Sequence, residues 1–148
     1  MLRGVDPLLV PELLHVLALM GHGDGIAVVD ANFPSHSVAA STVHGRVVNL
    51  AGTSMPEAAG AILSLLPLDH VGDGAVRVMA GGGAVVPAVH QDLQKVVDAA
   101  AARHCRLEPL ERFAFYEACR RSYAVVQTGE RRLFGNVLVR KGVVAPAE

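Results

Sequence analysis

The chain has 148 residues, enough for one domain with a sizeable core. Apolar residues make up 51% and charged residues 18%, a balance that excludes a disordered chain. Thirteen basic and fourteen acidic side chains leave a net charge of −1, so no overall field draws in nucleic acid or an anionic membrane.

The first element is "PELLHVLALMG". Pro11 suits the first turn of a helix and Gly21 its exit, and Leu13, Leu14, Leu17 and Met20 share one face. His15 falls one residue off that stripe, on the helix surface. "IAVVD", Ile26 to Asp30, is too short for a helix and rich in β-branched residues, which predicts a buried strand. "ANFPSHS" reads as a loop built on Pro34, and "RVVNL", Arg46 to Leu50, as a second strand. Ser54 and Glu57 form an S-x-x-E capping pattern that opens a helix closed by Pro67. "AVRVMA" is a third strand, ending at Ala80, and "GGGAVVP" a loop. Val89, Leu93, Val96, Val97 and Ala100 mark one face of a helix from Pro87 to Cys105. Another helix runs from about Glu111 to Ser122, followed by strands at Tyr123–Thr128 and Asn136–Lys141. Alternating helices and strands predict a single α/β domain over residues 1–148, a three-layer α/β/α arrangement with a central sheet covered by helices.

No apolar run reaches the ~20 residues that span a bilayer. The N-terminus lacks the order of charge, apolar core and cleavage site of a signal peptide. Cys105 and Cys119 lie fourteen apart with no CxxC, which predicts a reducing cytoplasm rather than a zinc site or a disulfide framework. The high apolar share comes from Leu, Val and Ala, with no tryptophan, and predicts apolar surface hidden against copies of the same chain. Basic residues gather late in the chain (Arg112, Arg120, Arg121, Arg131, Arg132, Arg140 and Lys141) and read as a solvated face or subunit contacts.

Gly81-Gly82-Gly83 lies between a strand and a helix but lacks both phosphate-loop spacings, so it reads as a permissive loop. The seven histidines show no H-x-x-x-H pair on a predicted helix, and no Gly-x-Ser-x-Gly or cysteine nucleophile motif is present. His22, between Gly21 and Gly23, has two readings of equal weight. Its side chain either reaches into a cleft or sits at a helix C-terminus favoured by the dipole. Asp30 ends a buried strand, where carboxylates face ligands, or else caps the next turn. Arg112 opens a helix, where a cation is disfavoured by the dipole, a hint of a functional role.

"PELLHVLALMGHGD", "VDANFPSHS", "ERFAFYE", "TGE" and "FGNVLVRKGV" resemble, in order and spacing, the family of L-fucose mutarotase and D-ribose pyranase. The resemblance spans nearly the whole chain, is carried by its two ends, and is closer to the fucose branch through "RFAFYE". It implies interconversion of sugar ring forms without cofactor or metal. It implies that His22 is the catalytic histidine and that Asp30, Arg112, Phe134, Gly135 and Asn136 bind the sugar. Where the family has "YGN" this chain has Phe134, so a phenol hydroxyl is absent. The resemblance also implies ring-shaped homo-oligomers, a decamer, with sites at subunit contacts, and a monosaccharide substrate as partner.

Ring opening needs a proton given to the ring oxygen while the anomeric hydroxyl loses one, and histidine titrates in the right range. Asp30 and Arg112 can hold ring hydroxyls by charge-assisted hydrogen bonds, and Asn136 offers a donor and an acceptor. Ile26 to Asp30 as a strand advances about 13 Å at ~3.3 Å per residue, which predicts that one pocket takes His22 from one subunit and Asp30 from another. Three rival readings remain: a D-ribose pyranase-type enzyme, a non-catalytic sugar-binding partner of an uptake system, and a structural ring protein.

Overall fold

The computed structural model describes residues 2–71, 73–101 and 103–146. Eleven elements follow one another along these residues, helix and strand alternating up to β5: α1 (Pro11–Leu19), β1 (Gly25–Val29), α2 (Ser35–Ala39), β2 (Val47–Leu50), α3 (Met55–Leu63), β3 (Val76–Met79), α4 (Ala88–Ala100), β4 (Glu108–Leu110), α5 (Arg112–Arg120), β5 (Ala124–Thr128) and β6 (Val137–Arg140). The strands form one sheet in the order β2-β5-β1-β6-β3-β4. Only β6 runs against its neighbours, pairing Gly25 with Arg140 and Val28 with Val137. The remaining pairs are parallel.

Side chains alternate across the pleat, so each central strand feeds two cores. Ile26 and Val28 join a cluster with α1, α3 and α4, including Leu13, Ile62 and Leu93. Ala27 and Val29 join a second cluster with α2 and α5, including Phe33, Val38 and Phe115. Phe33 meets Phe115 edge-on at 6.2 Å and Tyr116 at 5.3 Å, which seats α5 beneath the chain leaving β1. The three layers expected from the alternation of elements are therefore present.

Local signals act where the sequence places them. Pro11 is the first residue of α1, and the reciprocal Ser54–Glu57 capping box opens α3. Three expectations need correction. "ANFPSHS" is not all loop: Ser35–Ala39 forms a short helix after Pro34, held by the buried Val38 and Ala39. The helix expected to reach Cys105 stops at Ala100, because Ala101 turns to an extended conformation, and residue 102 lies outside the described residues. Glu108–Leu110 is a strand that sequence reading missed. It pairs with β3 alone, and an edge position tolerates Pro109.

Candidate functional site

Five strands point their carboxyl ends at one edge of the sheet, the usual ligand edge of an α/β fold. Antiparallel β6 begins at that edge, so its lead-in, Phe134-Gly135-Asn136, arrives beside Asp30. Asp30 and Asn136 clasp each other. The Asp30 amide N–H donates to Asn136 Oδ1 at 2.9 Å, and Asn136 Nδ2 donates to Asp30 Oδ2 at 2.7 Å. Both residues are buried. This pair fixes which way the Asn136 amide faces. Asp30 Oδ1 accepts from the Asn32 N–H at 2.9 Å, so the capping and ligand-edge readings of this aspartate coexist. Burial raises the Asp30 pKa, and the hydrogen bonds from Asn136 and the Asn32 backbone only partly offset it.

Gly135 makes the close approach feasible. A Cβ there would lie 2.6 Å from Glu130 Cγ and 3.2 Å from the Arg132 carbonyl. Glu130 is buried behind the segment and accepts from Arg132 Nε at 3.0 Å and Nη2 at 2.9 Å. That guanidinium holds the Glu130 carboxyl down to about 2, against an ordinary 4.5. A depressed folded pKa contributes stability that is full above the unfolded value and lost as pH falls through the folded one. Folding stability should therefore fall between pH 4.5 and 2. Glu130→Gln should flatten the curve in that window and cost about 1–3 kcal/mol at neutral pH. Denaturant melts of both proteins from pH 2 to 7 check this. Equal slopes below pH 4.5 would remove Glu130 as the cause.

Arg112 lies on the same edge, at the first residue of α5, but two strands, β6 and β3, separate β4 from β1. It is exposed, with its guanidinium 5.1 Å from the Phe113 ring centroid. Glu111 caps the helix by accepting from the Phe113 and Ala114 N–H groups, which offsets the cation at the helix start. The glycine-rich loop opens a cleft of about 700 Å³ bounded by Pro87, His90 and Arg106. Pro87 stands at the N-cap of α4 and has no N–H to offer a phosphate.

His22 lies at the opposite edge. Gly23 N–H donates to the Lys141 carbonyl, at the far end of β6 from Asn136. From Gly25 to Asp30, β1 advances about 16 Å at ~3.3 Å per residue. His22 does not cap α1. Lys141 Nζ takes that place, donating to the Met20 carbonyl at 2.5 Å. The His22 ring instead faces Asp69, with Nε2 3.4 Å from Oδ1, and half of the side chain stays exposed. Asp69 is buried, accepts from the Val71 N–H at 3.0 Å and lies 2.8 Å from Arg140 Nε. The Val71 N–H, His22 and Arg140 together hold its carboxyl below the usual carboxylate range. Sequence reading missed Asp69. Its one signal is the "LPLDH" segment that bridges to β6 through Leu68 and Lys141, a pairing visible only in three dimensions.

The structure thus gathers Asp30, Phe134, Gly135 and Asn136, puts Arg112 on the same edge, and sets His22 with Asp69 at the other. No helix among the described residues is long and apolar enough to cross a membrane.

Residues 3–144 match the RbsD / FucU transport protein family. The chain is 40% identical to the fucose mutarotase of Danio rerio, covering 99% of this chain and 97% of that protein. A solved structure of a protein proposed to bind sugar superposes with a TM-score of 0.94 at 41% identity, covering 98% of this chain and 97% of that one. The fucose mutarotase of Streptococcus pneumoniae, solved with L-fucose, superposes with a TM-score of 0.87 at 33% identity, over 97% of this chain and all of that one. This chain belongs to the RbsD / FucU transport protein family.

Proposed function

We propose that this protein is a monosaccharide mutarotase acting on L-fucose, with each pocket shared between two copies of the chain. The observation that carries the reading is the separation of two half-sites. A sugar-holding edge, Asp30 with Asn136, and an acid corner, His22 with Asp69, lie at opposite ends of β1 and β6. The similarity to fucose mutarotases over nearly the full length supports the reaction and the sugar. Exposed apolar side chains flank both half-sites, Val85 and Leu133 near one and Val71 near the other, and support burial against a second copy. A closed ring, a decamer as in the family resembled, satisfies such a head-to-tail contact.

In this mechanism His22 gives a proton to the ring oxygen and Asp30 takes the proton of the anomeric hydroxyl. The C1–ring oxygen bond breaks, leaving an aldehyde and a free hydroxyl. Rotation about C1–C2 turns the aldehyde, and the reverse transfers close the ring on its other face. Burial raises the Asp30 pKa and makes it a better base. Asp30 Oδ2, which accepts from Asn136 Nδ2, has a second lone pair for the sugar. One nitrogen of His22 faces Asp69, leaving the other for the substrate. Asn136 and Arg112 hold ring hydroxyls, and Phe134 and Gly135 shape the wall. The two buried free thiols, Cys105 and Cys119, fit a cytoplasmic location.

Phe134 favours a second reading, a sugar-binding protein without turnover, because the family's phenol hydroxyl is missing. Saturation-difference NMR on L-fucose, with D-ribose beside it, decides between them. The mutarotase reading expects faster anomer exchange for fucose. Acceleration of ribose alone means a pyranase, and binding without acceleration of either sugar means the second reading.

A further inference from the structure

We propose that His90, on the first turn of α4, is a positioning residue that fixes the Phe134-Gly135-Asn136 segment through the Phe134 carbonyl. The inference rests on the mutarotase reading for its kinetic consequence. Phe134 is the only non-glycine residue among those described with a positive φ, 64°. A bulky residue in the left-handed region is strained and persists only where its surroundings hold it. Two donors hold this one. His90 Nε2 lies 2.8 Å from the Phe134 carbonyl oxygen, and the Asn136 N–H donates to the same oxygen at 2.8 Å. A carbonyl only accepts, so Nε2 carries the proton and the neutral ring has its acceptor at Nδ1. His90 is buried, which pushes its pKa down and keeps the ring neutral.

A second grip comes from the same helix. Asp92, two residues on, accepts from Arg132 Nη1 at 2.8 Å, and Arg132 holds Glu130 behind Gly135. The first turns of α4 therefore clamp the segment on both sides of Leu133. The direction of the Phe134–Gly135 peptide sets where Asn136 starts. Asn136 in turn presents Asp30 to the sugar edge. A misplacement of about 1 Å there costs productive binding far more than it costs the fold.

The test compares His90→Met, which removes the donor, with His90→Gln, whose amide Nε2 returns an N–H at about the same reach. His90→Met should lower kcat/KM for L-fucose by about tenfold, because the segment it loosens sets both the sugar-holding Asn136 and, through it, the base Asp30. His90→Gln should bring kcat/KM back to within about threefold of the parent. In the unsubstituted protein, 15N NMR should find His90 protonated at Nε2 and bare at Nδ1. The Asn136 side-chain amide signal should move in His90→Met and return in His90→Gln. The opposite tautomer, or an unmoved Asn136 signal, overturns the proposal. So does a fall in melting temperature with kcat/KM unchanged, because that is a structural role alone. Should His90→Met not fold, His90→Asn, too short to reach the carbonyl, takes its place. If the unsubstituted protein accelerates no sugar, the mutarotase reading fails, and the two NMR signals still decide what His90 does.

Discussion

Replacing His22 with alanine should lower anomer exchange of L-fucose by about 10²- to 10⁴-fold, the usual share of a general acid, while stability stays within about 0.5 kcal/mol. The first half of this expectation follows from the chemistry. Asp69 cannot serve as the acid in its place, since the Val71 N–H, His22 and Arg140 hold it ionised. The second half follows from packing. The His22 side chain is half exposed, and its one charged contact is the 3.4 Å approach to Asp69. Asp69 keeps the Val71 N–H and Arg140 when the ring is gone, so no buried charge is stranded. Exchange rates at saturating fucose together with a thermal melt check both halves. A variant that melts normally and turns over at the parent rate would remove His22 as the acid.

Much of this architecture could be read from the chain because local chemistry and global fold agree. Pro11, the Ser54–Glu57 box and the β-branched "IAVV" run each specify their element without help from distant residues. What escaped reading depends on tertiary contact. Ser35–Ala39 is too short to be helical alone and forms because Val38 and Ala39 are buried against α5 and β5. Glu108–Leu110 carries a proline at its centre and is a strand only because β3 offers an edge.

The site divides the same way. His22 and Asp30 stand out by their position around one strand, and the strand length alone separates them. The convergence of Asn136 on Asp30 spans 106 residues of sequence and needs the antiparallel placement of β6. Asp69 and His90 escaped because an isolated aspartate in a loop and a histidine on a helix face carry no spacing signal. Their meaning comes from the atom each one faces, an imidazole for Asp69 and a strained carbonyl for His90.

The shared pocket makes the second large prediction. His22→Ala and Asp30→Asn homomers should each be nearly inactive, for different halves of the same chemistry. Asp30→Asn loses the base and sets an amide against the Asn136 Nδ2 donor. The two defects lie at opposite ends of β1, so a head-to-tail contact joins an intact half from each variant. Unfolding and reassembling the two variants in equal amounts should then restore about a quarter of the parent activity, because random pairing gives one pocket in four an intact His22 and an intact Asp30. That recovery, read as L-fucose anomer exchange against each variant reassembled alone, is the result the account predicts. Mixed assemblies as inactive as the separate variants would contradict it and place His22 and Asp30 in separate sites.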